Sequence, residues 1–302
     1  MTRRAWWQRF LVKGVFWRQL LRWAVLNIPA WLEPIVIAWW ASFFLLWGPG
    51  RRGVMTNLTA IKPGSSSFAN FFRTYRVFWN YAWTITDNAR YRELQSLPDW
   101  EFDGFDNFEH MENREGGSII LTAHMGSYDL GAQLFGETSQ RKIIMVRAPE
   151  VDPDTRAYEQ SLHQRDIERY RIAFNESASE IALDLLESVR NGEVAAIQGD
   201  RVTPGVSPYA TTLFGRPILL PAGPFALAMT ARVPIYPVFV VRRGRRRYRL
   251  VARQPIEVVR RGRNRDEDIG IAVAQWTEQL ESVIAEWWFQ WFTFEPYSEE
   301  AA

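Results

Sequence analysis

The chain has 302 residues, of which 47% are hydrophobic, so it can form one large domain with a sizeable core. It contains no cysteine, which excludes disulfides, thiol nucleophiles, cysteine-ligated zinc and iron–sulfur clusters. Its 36 Lys and Arg residues against 34 Asp and Glu give a net charge of only +2, so we expect no nucleic-acid partner.

The basic residues are almost all arginine, because lysine occurs only at Lys13, Lys62 and Lys142. A guanidinium presents a planar fork that suits phosphate and carboxylate groups, so this bias is consistent with an anionic lipid surface or substrate. A codon usage that favours arginine is the alternative explanation.

The first apolar stretch, WAVLNIPAWLEPIVIAWWASFFLLW, runs from Trp23 to Trp47. A membrane span needs about 20 apolar residues, but Pro29 and Pro34 would kink or break a continuous helix. Its tryptophans suit a bilayer interface. We predict that residues 1–61 form a membrane anchor, either one kinked span or a broken, partly inserted pair of helices. A buried helical hairpin of a soluble protein is the alternative.

The next segment begins with KPGSSS, which predicts a turn or short linker at residues 62–67. Aromatic residues then recur at three- and four-residue spacing as far as Tyr91. This spacing predicts an amphipathic helix whose aromatic stripe faces the core or a membrane.

Short apolar runs alternate with helical patterns after Gly117. The predicted strands are GSIILTA, KIIMVRA, EVAAIQG, PIYPVFVV and YRLVAR, and helices are predicted near residues 128–135, 155–170, 178–190, 224–231 and 266–288. The alternation predicts an α/β fold whose mostly parallel central sheet is flanked by helices. Ligands of such folds bind beyond the carboxyl ends of the strands.

His124 follows the strand LTA directly, at this edge of the predicted sheet. With Gly126 and a helix after it, its ring can project into a crevice. Asp129, near the start of that helix, could accept a hydrogen bond from one imidazole nitrogen and leave the other free to take a proton. This spacing also arises by chance, so a purely structural histidine remains the alternative.

The block HMGSYDLGAQLFG resembles the His-x-x-x-x-Asp/Glu motif of the glycerolipid (lysophospholipid) acyltransferase superfamily, in particular its lipid A biosynthesis lauroyl/myristoyl acyltransferases. Three further blocks resemble that family in order and spacing: RRGVMTNLTAIKP, LESVRNGEVAAIQGDR and TTLFGRPILLPAGPFALAMTARVPIYPVFVVRR. The resemblance extends roughly from Trp23 to Arg253. It implies a glycerolipid acyltransferase-like catalytic domain over residues 62–302, preceded by the anchor.

The resemblance also implies a reaction, in which a fatty acyl group passes from an acyl carrier protein or coenzyme A thioester to a hydroxyl of a lipid. The acceptor would be a glycolipid, a phospholipid or a lipid A-like molecule at the cytoplasmic face of a bacterial inner membrane. His124 would act as general base and Asp129 would orient it. The thioester is a co-substrate, and the resemblance implies neither a bound cofactor nor a metal.

Four further residues are candidate substrate-binding residues. Asp200 and Arg201, in QGDRVTPG, match the family's acidic block and could position acceptor or donor. Arg216, in LFGRPI, lies where related enzymes bind an acceptor phosphate, and Arg147 after KIIMV is a weaker candidate. The alternative for each is a structural or solvated role. The cluster VRRGRRRYR could attract an acidic carrier protein or anionic headgroups, or it could be a solvated hairpin.

The chain departs from the family pattern in three places, which leaves the acceptor open. GDRV replaces the usual acidic block, Asp129 replaces a common glutamate, and the chain carries the aromatic tail EWWFQWFTFEPYSEEAA. The tail could lie on the membrane or close the active site. A catalytically inactive lipid-binding scaffold and a lipid ester or thioester hydrolase are the competing functions.

Overall fold

The computed structural model describes residues 15–139, 141–148, 170–175, 178–203, 205–262 and 264–298. The helix predicted near residues 155–170 lies outside this part, except for its last residue. The helices are α1 (Val15–Asn27), α2 (Glu33–Trp47), α3 (Arg51–Ile61), α4 (Ser67–Leu94), α5 (Phe105–Asn113), α6 (Tyr128–Thr138), α7 (Ala178–Arg190), α8 (Gly223–Ala231) and α9 (Arg265–Trp287), with a 3-10 turn at Trp288–Gln290. The strands are β1 (Asp99–Asp103), β2 (Ser118–Thr122), β3 (Ile143–Arg147), β4 (Tyr170–Phe174), β5 (Val194–Gln198), β6 (Pro208–Leu213), β7 (Arg216–Pro221), β8 (Ile235–Gly244) and β9 (Arg247–Ala252).

The main sheet has the strand order β1-β9-β8-β2-β5-β3-β4. Its five neighbouring strands β8, β2, β5, β3 and β4 run parallel. β9 pairs antiparallel with β8, and β1 pairs parallel with β9. Strands β6 and β7 form a separate antiparallel hairpin. The predicted α/β fold with a mostly parallel sheet flanked by helices is therefore confirmed.

Strand β2 shows why the sheet is covered on both faces, since every one of its residues is buried. Ile119 and Leu121 belong to the apolar cluster that contains Trp276 of α9. Ile120 belongs to the opposite cluster, together with Phe135 of α6. Because consecutive strand side chains point to opposite faces, a continuous apolar run is what a strand between two helical layers requires.

All five strands predicted from apolar runs are present, as β2, β3, β5, β8 and β9. The prediction missed β1, whose sequence DWEFD alternates acidic and aromatic residues and whose side chains are exposed or half-buried. It also missed β4 and the β6–β7 hairpin. Most residues of β6 are likewise exposed or half-buried, so that strand carries no apolar run.

The apolar N-terminal stretch forms two helices, α1 and α2, with a turn closed by the hydrogen bond from the Leu32 amide to the Pro29 carbonyl. Among the described residues, no helix has the combination of length and apolar character that crossing a bilayer needs. Large apolar side chains on these helices are nevertheless exposed, and Trp23, Trp39 and Trp47 are each more than half accessible.

Glu33 connects α2 by ion pairs to α4 and to the hairpin between β8 and β9. Its side chain is only 6% exposed and pairs with Arg90 of α4, with Arg245 at 2.7 Å and with Arg246 at 3.4 Å. A buried carboxylate is tolerated only where cations and hydrogen bonds satisfy it. Arg245 and Arg246 of the basic hairpin between β8 and β9 therefore have a structural role.

Asp87 of α4 is a second buried carboxylate, and it accepts a 2.8 Å hydrogen bond from the Tyr248 hydroxyl. Burial raises its pKa from 3.8 to about 6, against the opposing effects of Tyr248 and the nearby arginines. The folded state thus binds this proton more tightly than the unfolded chain does. As the pH rises from about 4 to about 6, the free energy of unfolding falls, because Asp87 must lose its proton in the folded state. Above pH 6 this loss of stability stays constant.

We expect Asp87→Asn to stabilise the protein at pH 8 by about 2 kcal/mol, because a neutral amide removes the cost of a buried charge. At pH 4 the gain should largely disappear, since the folded wild type is then protonated. Thermal unfolding of both proteins at the two pH values measures this difference. An equal shift of the melting temperature at pH 4 and pH 8 would contradict the assignment, and Asp106→Asn, at an exposed position, is the control.

Candidate active site

The register of two neighbouring parallel strands brings the site together. Thr122 at the end of β2 pairs with Gln198 at the end of β5. His124 and Asp200 each lie two residues beyond those ends, at the same edge of the sheet. Their side chains meet there, with His124 Nδ1 2.7 Å from Asp200 Oδ1.

The two partners differ in their access to solvent. The His124 side chain is 30% exposed, whereas that of Asp200 is completely buried. The second carboxylate oxygen, Oδ2, accepts a 3.0 Å hydrogen bond from the Trp291 indole N–H. A substrate can therefore reach the imidazole, while the carboxylate is enclosed and has both oxygens hydrogen-bonded.

The charge of Asp200 follows from these contacts. Burial opposes its ionisation, but the charge and hydrogen bond of His124, with further contributions from Arg201 and Trp291, outweigh burial and hold its pKa well below the ordinary value. An ionised carboxylate can only accept hydrogen bonds. His124 Nδ1 therefore carries the hydrogen, and Nε2 is the nitrogen that can take a proton.

The C-terminal strap, which we define as residues 288–298, forms one wall of the site. Trp291 makes an antiparallel bridge with Met125. The Phe292 amide donates a 2.8 Å hydrogen bond to the His124 carbonyl. Part of the predicted aromatic tail thus packs directly against the candidate catalytic residues.

Gly126 turns the chain between His124 and α6. It has a positive φ of 54°, and a Cβ there would lie 1.7 Å from the Val240 carbonyl oxygen. Its amide donates to the Gln290 carbonyl at 2.9 Å. Ser127 then caps α6 and donates a 2.6 Å hydrogen bond to Asn88 Oδ1. The Ser127 amide also donates to the Val240 carbonyl at 2.9 Å. The 3-10 turn, β8 and α4 therefore all hold the chain that follows His124.

The sequence predicts that Asp129 accepts a hydrogen bond from His124, whereas in the structure Asp200 is the carboxylate in that position. Asp129 lies in the first turn of α6, beyond the bend at Gly126, and forms an ion pair with Arg147 of β3. Its other oxygen lies 3.5 Å from Arg92 of α4. The helix N-terminus also favours a negative charge at this position.

The family model for the bacterial lipid A biosynthesis acyltransferases matches residues 63–297, more than half of the chain. The chain belongs to this family. It is therefore an acyltransferase, as the resemblance in its sequence implied. No curated protein matches it at a significant level.

The other predicted substrate-binding residues of the acyltransferase lie in two places. Arg201 Nη2 donates to the Phe292 carbonyl at 3.2 Å and to Thr293 Oγ1 at 3.3 Å, so it holds the C-terminal strap beside the site. Arg216 lies at the start of β7 and donates to Thr59 Oγ1 of α3 at 2.9 Å. The structure thus brings Arg201 to the His124–Asp200 pair and places Arg216 in a contact with α3.

Two features of the site were not predicted from the sequence. The sequence places Asp200 among the candidate substrate-binding residues, although in the structure it is the hydrogen-bond partner of His124, and it indicates no individual role for Trp291. The signal that could have found the pair was that His124 and Asp200 both follow apolar strands directly.

Within the described ranges, no group of His, Asp and Glu side chains could hold a metal ion.

We expect Gly126→Ala to lower the acyl-transfer rate by about 10²-fold, because a displacement of about 1 Å at a catalytic group has that effect. Its Cβ cannot fit against the Val240 carbonyl unless the bend at Gly126 moves away from β8. Gly64→Ala is the matched control, since Gly64 has a φ of 75° and a Cβ there would have no atom within 4 Å. Equal rates for the two variants would contradict this prediction, because they would show that the contact with Val240 does not affect the site.

Proposed function

We propose that this acyltransferase moves a fatty acyl group from an acyl carrier protein or coenzyme A thioester to a hydroxyl of a glycolipid or lipid A-like acceptor. The observation that carries the proposal is the His124–Asp200 pair, with its enclosed carboxylate and partly exposed imidazole. The pair supplies a base at the carboxyl edge of the sheet, where ligands of such folds bind.

In the proposed reaction, His124 Nε2 takes the proton of the acceptor hydroxyl while the hydroxyl oxygen attacks the thioester carbonyl carbon. The tetrahedral intermediate collapses, the carbon–sulfur bond breaks, and the imidazolium returns its proton to the thiolate that leaves. Asp200 keeps the imidazole in the reactive tautomer and stabilises the imidazolium. No protein nucleophile takes part, which agrees with a chain without cysteine.

Asp129 and Arg147 would support this site as a positioning pair. Their ion pair joins the start of α6 to the end of β3, so it fixes the helix that follows the bend at Gly126. Arg201 and Arg216 remain candidates for contacts with donor or acceptor.

We further propose that α1 and α2 rest on the surface of the bacterial inner membrane, with the catalytic residues on its cytoplasmic face. Exposed tryptophans on these helices suit the boundary between headgroups and acyl chains. Residues 1–61 would then provide the membrane contact and residues 62–302 the chemistry. This arrangement lets a soluble thioester meet a lipid acceptor.

Lipid mass spectrometry of cells that carry wild type, His124→Ala or an empty vector tests the proposed transfer. We expect a glycolipid or phospholipid that is heavier by one acyl chain only with the wild type. Free fatty acid released at a rate that added acceptor does not reduce would instead indicate a hydrolase. Identical lipid profiles at equal membrane yield would contradict acyl transfer in that host.

The assignment of Asp200 as the partner of His124 has its own test. We expect Asp200→Asn to lower the turnover number by roughly 10²- to 10⁴-fold, because an amide cannot hold the same tautomer or stabilise the imidazolium. Asp129→Asn should lower it less, since Asp129 contacts arginines. Turnover numbers of both purified variants, with circular dichroism to check folding, test which carboxylate is the partner of His124. A larger loss for Asp129→Asn would reverse the two roles.

A further inference from the structure

A second concave site lies among α4, the end of β8 and the residues around the end of α9. We call it the basic pocket. Its volume is about 400 Å³, and three arginines and three aromatic residues line most of it: Arg76, Arg242, Arg243, Trp79, Trp287 and Phe289. No carboxylate lines it in the part of the chain that the structure describes.

Two of these arginines make cation–π contacts with aromatic rings. The guanidinium carbon of Arg76 lies 3.8 Å from the centre of the Phe289 ring, and that of Arg243 lies 5.4 Å from the centre of the Trp287 ring. Stacking uses the face of a guanidinium and leaves its in-plane N–H groups available. Arg243 Nε donates to Glu101 Oε1 at 2.9 Å. The other N–H groups of Arg243 and those of Arg76 are the charged donors beside the open volume.

The third arginine is buried. Arg242 is only 9% exposed, and one Nη donates a 3.2 Å hydrogen bond to Asn80 Oδ1. Its Nε is buried and has no hydrogen-bond partner among the described residues. A buried donor without a partner is costly, and an oxygen of a ligand in the basic pocket would satisfy this one.

The basic pocket is connected to the candidate active site through Gln290. The Gln290 side chain accepts from the Arg242 amide at 2.7 Å and donates to the Arg242 carbonyl at 2.8 Å. The Gln290 carbonyl accepts from the Gly126 amide, two residues beyond His124. A group held in the basic pocket would thus be fixed relative to the imidazole.

We propose that the basic pocket binds a phosphate group of one of the two substrates, which extends the proposed function. Several rigid guanidinium groups around a small volume suit a dianion with tetrahedral oxygens. The phosphate could belong to the phosphopantetheine arm of the thioester donor or to the headgroup of the lipid acceptor. Both sources offer the same chemistry to the pocket.

The test uses Arg76→Gln and Arg242→Gln, with Arg190→Gln at an exposed position on α7 as the matched control. Arg76 is itself exposed, so its variant should fold even if that of Arg242 does not. We would measure inorganic phosphate binding by ³¹P line broadening. Calorimetry would compare coenzyme A with pantetheine, and phosphatidic acid with diacylglycerol in detergent micelles.

We expect Arg76→Gln to weaken phosphate binding by about tenfold, the effect of removing one charge-assisted hydrogen bond. The same loss with coenzyme A but not with pantetheine would identify the donor phosphate. A loss with phosphatidic acid but not with diacylglycerol would identify the acceptor phosphate. Binding of every probe within about twofold of the Arg190→Gln control would overturn the proposal. None of these measurements requires turnover, so they stand apart from the test of acyl transfer.

Discussion

The parallel register between β2 and β5 is the constraint on which the site depends. It places His124 and Asp200 at equal distances beyond paired strand ends, so that a 2.7 Å hydrogen bond can form between residues far apart in the chain. A shift by one residue would turn one of the two side chains to the opposite face of the sheet. The hydrogen bond from the Gly199 amide to the Thr122 carbonyl extends the pairing towards the site. The Trp276 indole N–H in turn donates to the Gly199 carbonyl.

The sequence predicted the sheet and the position of His124, because both follow from local patterns. Apolar runs mark strands buried on two faces, and a polar residue directly after such a run lies at the ligand-binding edge. The partner of His124 could not be predicted in this way. Asp129 is close in sequence but begins a helix beyond a glycine bend, whereas Asp200 is close only through strand register. Trp291 reaches the site through the packing of the C-terminal strap, which no local pattern encodes.

Three buried carboxylates show how surroundings decide the behaviour of one functional group. Glu33 is enclosed by three arginines. Asp200 has partners on both oxygens, and its pKa is lowered in spite of burial. Asp87 has one hydroxyl donor, and burial raises its pKa.

The arginine bias of the chain has a related explanation. Many guanidinium groups serve the fold by stacking on rings or by pairing with acids. Three of them line the basic pocket, where Arg243 also pairs with the half-exposed carboxylate of Glu101.

The C-terminal strap also affects the order in which the molecule can fold. Its contacts with the site require β8 to be in place first, because Gln290 binds both Arg242 of β8 and the chain after His124. The strap contacts residues beyond the ends of β2 and β5 as well as β8, and only the assembled sheet brings these residues together. During refolding, the α/β scaffold should therefore regain its secondary structure before Trp291 reaches Asp200. In that interval the carboxylate would lack one of its two hydrogen-bond donors, so catalytic competence would be the last property to return.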